Sequence, residues 1–154
     1  MYRISWINDL LNQLKGAKYF SKIDLKSNYH QVPIEQTGIC KTAFKYWEGI
    51  FEWLVMPFGL TNSPATFMRM MDDILWPFTN SFVVIYLDDI LIYSWTWEEH
   101  LQHIQQVLDT LRQHKLYANL EKCSFDMYQI HYLGSIMDAN GVHVDPTKIQ
   151  VIRD

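Results

Sequence analysis

Asp88 and Asp89 stand side by side between two apolar runs, Phe82-Val83-Val84-Ile85 and Ile90-Leu91-Ile92-Tyr93. Two like charges about 4 Å apart repel by ~1 kcal/mol in water, and by several times that near a protein interior. A pair placed between buried strands therefore calls for a cation. A hard divalent metal such as Mg²⁺ suits carboxylate oxygens and keeps substrate phosphates among its remaining ligands. An Asp-Asp pair also serves as a plain turn, because Asp bonds its own backbone, so metal chemistry asks for a third carboxylate. Asp24 offers one: in Tyr19-Phe20-Ser21-Lys22-Ile23-Asp24-Leu25 an apolar, strand-like run again ends in an acid. Read on its own, that residue is equally a strand-end Asp capping the next turn.

The elements that must position these acids follow from the hydrophobic pattern. The β-branched and aromatic runs flanking Asp88-Asp89 predict a tight hairpin, which carries both acids to one end of a sheet. Ser5 followed by Ile7, Leu10, Leu11 and Leu14 predicts an opening helix over Trp6–Lys15, with Gly16 ending it. Lys41–Trp47 and Ile50–Val55 read as two strands joined at Glu48-Gly49. Asn62-Ser63-Pro64 is a helix start with Ser63 as the cap and Pro64 in the first turn. Phe67, Met68, Met71, Ile74 and Leu75 then form its core face, and Pro77 is expected to stop it. Thr96 to Glu99 has the form of a capping box for a second long helix with Leu101, Ile104, Leu108 and Leu111 inward. Asn140-Gly141 marks a hairpin between Tyr132–Met137 and Val142–Val144. This order predicts an α+β fold, an antiparallel sheet with helices packed on one face and its strand ends open to substrate.

Composition narrows the function. With 49% hydrophobic and 15% aromatic residues in 154, the chain holds one domain with a real core. No apolar run reaches the roughly 18 residues of a membrane span, and Met1-Tyr2-Arg3-Ile4-Ser5-Trp6 lacks a signal-peptide pattern, so a soluble intracellular protein is expected. Cys40 and Cys123, far apart and each in apolar company, read as buried free thiols. The net charge of −4 is a poor match to a self-sufficient nucleic-acid binder, which carries a basic face to displace counterions. His100 and His103, three apart on a helix with no third ligand in register, read as a solvated face. His30, His114, His131 and His143 form no cluster.

Three segments carry a resemblance to a known family. Phe20 to Gln31 (FSKIDLKSNYHQ), Met56 to Phe67 (MPFGLTNSPATF) and Tyr86 to Ser94 (YLDDILIYS) resemble, in order and spacing, successive motifs of gypsy-type long-terminal-repeat retrotransposon reverse transcriptases. Leu116 to Phe125 (LYANLEKCSF) and Tyr132-Leu133-Gly134 are similar to the family's later palm region. The likeness runs from about Trp6 to Arg153. It implies a polymerase palm over residues 1–154 with a partial fingers insertion at about 32–55. It also implies that the upstream fingers, the thumb and the ribonuclease H part of a parent polyprotein lie elsewhere. The acidic net charge is then that of a metal-bearing fragment separated from its basic partners.

The resemblance further implies roles for single residues. Asp24, Asp88 and Asp89 would be catalytic, holding two Mg²⁺ ions, or Mn²⁺ in their place, together with the Leu25 carbonyl. Asp24 and Asp88 would bridge both ions, with Asp89 supplying mainly charge. Leu25, Tyr29, Phe58 and Gly59 would meet the incoming dNTP, Tyr29 as the ring that excludes a 2′-hydroxyl. Tyr86, Tyr132, Leu133 and Gly134 would bind the primer. The partners would be an RNA or DNA template with a DNA primer, without a membrane, in a cytoplasmic particle or the nucleus. The expected activity is RNA-directed DNA synthesis. The alternatives are a truncated, inactive remnant of that domain and, less in keeping with Met56 to Phe67, another palm-fold nucleotidyl transferase. Trp95 and Trp97 depart from the family pattern, which has polar residues there.

Overall fold

The computed structural model describes residues 5–26, 28–60, 62–86 and 88–146. Helix α1 (Ser5–Leu14) runs to Gly16, and strand β1 (Tyr19–Asp24) follows. A 3₁₀ turn (Asn28–Gln31) leads into a peripheral unit of α2 (Gln36–Ile39), a second 3₁₀ turn (Cys40–Thr42) and the hairpin of β2 (Phe44–Tyr46) and β3 (Gly49–Phe51). The long helix α3 (Ser63–Thr79) then precedes β4 (Val83–Tyr86), β5 (Asp89–Ser94) and the second long helix α4 (Trp97–Gln113). The chain closes with a 3₁₀ turn (Leu120–Lys122), β6 (Ser124–Met127), β7 (Gln129–Tyr132), β8 (Ser135–Asp138) and β9 (Gly141–Val144).

The central sheet has the antiparallel order β4-β5-β1-β6, so the strands ending and starting at the acids, β1 and β5, lie in its middle. Side chains alternate between its faces. On one face Ile23, Val83, Ile90 and Ile92 pack against Phe67, Met71 and Leu75 of α3 and Val107 and Leu111 of α4. On the other, Phe20, Val84, Leu91 and Tyr93 meet Leu10 and Leu14 of α1 and Ile130, Tyr132 and Met137 of the three-stranded sheet β7-β8-β9. Burying each such large side chain contributes about 1.5–3 kcal/mol. The two long helices thus share one face, while α1 and the small sheet cover the apolar part of the other, at whose end Asp24, Asp88 and Asp89 stand half-buried.

Several local expectations are corrected. The peripheral strands are shorter than the sequence pattern suggested, because Cys40–Thr42 forms a 3₁₀ turn and Glu52 to Leu54 leave the pairing. Cys40 in that unit is exposed rather than buried, and Cys123 is partly covered. The cap of α3 is Asn62; Ser63 is already helical, buried, and donates its hydroxyl to the Pro57 carbonyl at 3.3 Å. Pro77 does not stop α3. It falls near the helix end, where its missing N–H forfeits one bond, and the Thr79 hydroxyl donates to the Trp76 carbonyl at 3.2 Å.

Helix α4 differs in its inward face. Leu101 is exposed, whereas His100 is fully buried with Val107 and Leu111. The central sheet presents hydroxyls there: Ser21 lies 2.8 Å from His100 Nε2, and Ser94 lies 2.8 Å from His100 Nδ1 and 2.7 Å from His103 Nδ1. His103 also stacks on Phe82 at 3.6 Å. The expected solvated histidine face is therefore a satisfied interior network. The two unexpected tryptophans have structural uses as well. Trp95 donates its ring N–H to the Lys15 carbonyl at the end of α1, and Trp97 packs edge-on against Tyr19.

Candidate active site

The two central strands bring their acids into direct opposition: Asp24, last in β1, pairs with Asp89, first in β5. The type of pair follows from the backbone. The Asp24 N–H points to Cys123 Sγ at 3.4 Å and its carbonyl accepts from the Asn119 N–H at 2.8 Å, both on the β6 side. Toward β5, Asp24 and Asp89 are thus a non-hydrogen-bonded pair, the kind with Cα atoms about 4.5 Å apart and side chains close. One residue further on, the parity reverses. Lys26 N–H donates to the Tyr117 carbonyl at 2.7 Å, and with the Asn119 bond this brackets the Leu25–Ala118 bridge. The Leu25 carbonyl consequently faces the β5 side, toward the turn that holds Asp88. Strand alternation also places Tyr86, which pairs with Asp89, on the acidic side of the sheet.

The electrostatics couple the three carboxylates. Burial raises the Asp24 carboxyl above its ordinary value, Asp88 adds to the rise, and Lys122 and Lys22 oppose it. Burial likewise raises Asp89, with Lys22 opposing and both Asp88 and Asp24 contributing. Like charges directly opposite on neighbouring strands destabilise a sheet, so this end of the fold is held against its own repulsion. Hard divalent cations take such an all-oxygen donor set of carboxylates and a backbone carbonyl. As the side chains stand, no three acidic, imidazole or thiol groups among the described residues make a closed metal cage.

The backbone that carries the acids is fixed from two sides. Besides accepting from Asp24 N–H, the Cys123 thiol donates to the Asp24 carbonyl at 3.7 Å. Tyr132, buried in the β7–β8 hairpin, donates its hydroxyl to the Asp89 carbonyl at 3.4 Å. Its phenol is pushed well above the usual range by burial and by the neighbouring acids, which keeps it a neutral donor. Sequence reasoning missed Asn119 and Gln31 altogether and took Cys123 only as a buried thiol. Their contacts span up to 99 residues, a separation that no local pattern reports.

The other expected residues are brought together in part. Phe58 is exposed and meets the His30 ring edge-on at 4.8 Å, and His30 in turn stacks on Trp53 at 5.8 Å. Gly59 has φ +91 with open space where a side chain would stand, so the turn after Phe58 requires glycine and leaves bare backbone there. Tyr29 sits in the 3₁₀ turn Asn28–Gln31, but its side chain lies outside the described residues. Tyr132 has its ring in the core, while Leu133 and Gly134 form the turn with φ of 52° and 74°. Positive φ at both central residues is the type I′ hairpin pattern. A leucine there is strained, which marks the turn as held in place. A cleft of about 500 Å³ lies away from the acids, between the peripheral unit and the start of α3, among Ile34, Lys41, Met56, Leu60 and Thr66.

An open α+β sheet with paired acids on its two central strand ends is the architecture of a nucleotide-polymerising palm. The chain matches the family of reverse transcriptases (RNA-dependent DNA polymerases) over residues 1–137. It is 40% identical over 153 residues to the retrovirus-related Pol polyprotein from transposon opus of Drosophila melanogaster, covering 99% of this chain and 15% of that protein. Polyprotein P3 of Commelina yellow mottle virus is 36% identical, across 99% of this chain and 8% of its own length. A transposon Tf2 polyprotein of Schizosaccharomyces pombe is 38% identical across 92% of this chain and 11% of its own length. Among solved structures, the foamy viral protease-reverse transcriptase in complex with RNA/DNA hybrid superposes with a TM-score of 0.81 at 28% identity, covering 94% of this chain and 20% of that one. A second foamy viral structure, with double-stranded DNA, gives 0.84 at 27% identity over 100% and 26% of the two chains. This chain belongs to the reverse transcriptase family. It spans about a seventh or less of the polyproteins named here.

Proposed function

We propose that the chain is the palm, with the fingers segment at about 32–55, of a gypsy-type retrotransposon reverse transcriptase, and that it adds deoxynucleotides to a DNA primer on an RNA or DNA template. The observation that carries this reading is the register: Asp24 faces Asp89 on the neighbouring strand, with Asp88 in the adjoining turn. The nucleic-acid partners are supported by the structural relatives, two of which hold an RNA/DNA hybrid or double-stranded DNA.

In this reading Asp24, Asp88, Asp89 and the Leu25 carbonyl would hold two Mg²⁺ ions, or Mn²⁺, which would supply Lewis-acid chemistry at the primer 3′-hydroxyl and at the pyrophosphate leaving group. The protein's own part is placement. The Cys123, Asn119 and Tyr132 contacts keep the two acid-bearing strand ends in one position, so little reorganisation is needed as charge develops. Phe58 and the Gly59 backbone offer an open surface to the nucleotide, and Tyr29, following Asp24 by five positions, tests its sugar. Tyr86 and the Leu133-Gly134 turn, anchored through Tyr132, face the primer end.

The test is extension of a DNA primer on an RNA template with Mg²⁺ at low salt, comparing the chain with its Asp88→Asn variant. Extension is expected to fall by about 10²–10³-fold or more in the variant, the scale of losing a group that acts on transition-state charge. Extension that is unchanged in Asp88→Asn overturns the assignment of the acids. A folded chain that extends nothing returns the domain to the inactive alternative.

A further inference from the structure

The chain leaves the central sheet immediately after Asp24, and the next residues, up to Gln31, carry the Leu25 carbonyl and Tyr29. Among the described residues its backbone pairs with the chain before β6 through the bridge of Leu25 with Ala118, ended by the bond from Lys26 N–H to the Tyr117 carbonyl. Beyond that point the rungs come from a side chain. The Gln31 amide donates to the Lys26 carbonyl and, at 3.1 Å, to the Tyr117 carbonyl, while its oxygen accepts from the Tyr117 N–H at 2.6 Å.

We propose that Gln31 is a positioning residue for the nucleotide site: its amide stands in for a peptide group between Lys26 and Tyr117 and so holds the Lys26 backbone and the 3₁₀ turn Asn28–Gln31 beside the Asp24–Asp89 pair. The inference rests on the polymerase reading above. Chemistry singles out glutamine. A primary amide carries donor and acceptor in one plane, as a peptide group does. An ionised glutamate offers acceptors only and would face the Lys26 and Tyr117 carbonyls with no hydrogen to give. Methionine fills the same length with neither function, and asparagine is one methylene short. The bonds tie Gln31 to Lys26 five residues earlier and to Tyr117 eighty-six residues later, which closes the segment and anchors it to the chain leading into β6.

These bonds also lie in the open. Tyr117 is exposed, and Lys26, Gln31, Tyr117 and Ala118 line a cleft of about 470 Å³. Water replaces such bonds readily when they are lost, so global stability depends on them little. Leu25 is held in the core and His30 packs on Phe58 and Trp53. Among the described residues, however, the backbone of the turn is tied to the chain before β6 by the Leu25–Ala118 bridge and these Gln31 bonds, so its position depends on them. Nucleotide binding and sugar selection are therefore separable from folding at this residue. Misplacement by a fraction of a bond length at a reacting site is costly even when the fold is intact.

The experiment is single-nucleotide incorporation on a primed RNA template with Mg²⁺, using the wild-type chain, Gln31→Met and Gln31→Glu, with Tm measured for each. In both variants the KM for dNTP is expected to rise about tenfold while kcat falls less than about threefold, the split that marks lost binding and placement. Preference for deoxy- over ribonucleotides is expected to drop by about tenfold, since discrimination by one contact depends on a fixed pocket. Tm is expected to stay within about 2 °C of wild type, as for a surface substitution. Active wild type beside variants of unchanged KM and sugar preference overturns the positioning role alone. So does loss of activity that follows a fall in Tm in both variants. Wild type that incorporates nothing overturns the polymerase reading, and this inference with it.

Discussion

At the residue scale, the acids are placed where the fold would be better off without their charge. Asp24 has its carboxyl raised by burial and by Asp88, and Asp89 is raised by burial and by both other acids. A carboxyl whose folded value exceeds its unfolded one weakens the fold at pH above the folded value and is neutral in effect below the ordinary value near 3.8. Asp24→Asn should therefore raise Tm at neutral pH by about 2–4 °C, the shift that ~1 kcal/mol gives in a chain of this size, while abolishing extension. The gain should disappear as pH falls toward 3.8. Thermal melts of the two proteins at neutral and acid pH, each without metal, check this. A lower Tm for the variant would mean that the three charges do not repel as the register implies. The acids stood out in the sequence as candidates because each interrupts or ends an apolar run. Their mutual register did not, since strand pairing between residues 24 and 89 leaves no mark in either segment.

At the element scale, helix α4 is the clearest case of local chemistry deciding structure. The capping box foreseen at Thr96 is formed: Glu99 N–H donates to the Thr96 hydroxyl at 3.3 Å, and Thr96 N–H donates to the Glu99 carboxylate at 3.3 Å. Thr96→Ala should cost about 1 kcal/mol and lower Tm by about 2–4 °C without changing the KM for dNTP. Differential scanning of the variant beside its extension kinetics tests both halves. Sequence reasoning was right about this start because capping is a matter of four consecutive residues. On the inward face of the same helix Ile104, Leu108 and Leu111 pack against the core as expected, but Leu101 is exposed and His100 takes the buried place. An imidazole and a leucine compete for the core by partner as well as by hydrophobicity, and the hydroxyls of Ser21 and Ser94 belong to strands far from α4 in sequence. The peripheral hairpin shows the converse. Its apolar residues, among them Tyr46, Trp47 and Ile50, satisfy a strand pattern yet stay exposed, uncovered by any described element.

At the scale of the whole molecule, the buried imidazoles join the sheet to α4 and make stability pH-dependent. Burial lowers both His100 and His103, with like-charge repulsion from His103 also acting on His100, against opposing effects from Asp126 and Glu99. The folded state thus resists protonation at sites that the unfolded chain protonates below about pH 6.5. Stability is whole above that value and falls as pH decreases through it, by up to about 1.4 kcal/mol per pH unit for each imidazole. Denaturant midpoints between about pH 6.5 and pH 5 should fall accordingly, and His100→Gln should remove about half of the slope. The slope should persist in the Asp24→Asn background. A flat profile in that window would show the network to be open to water.

The sequence by itself determined the helices with strong periodicity or caps, the strand runs, the hairpin turns near Glu48-Gly49 and Asn140-Gly141, and the three acids as candidates. Each of these is written within a dozen residues, where dihedral preference, side-chain period and capping act directly. Only the tertiary structure decided that Asp24 faces Asp89, that the Leu25 carbonyl turns toward Asp88, and that Cys123, Asn119 and Tyr132 hold the acid-bearing backbone. It alone showed Gln31 completing a ladder between two distant segments. Those facts depend on strand register and on hydrogen bonds between groups separated by tens of residues, and such pairings are selected by the burial of both sheet faces at once, a property of the assembled core that no stretch of the chain contains.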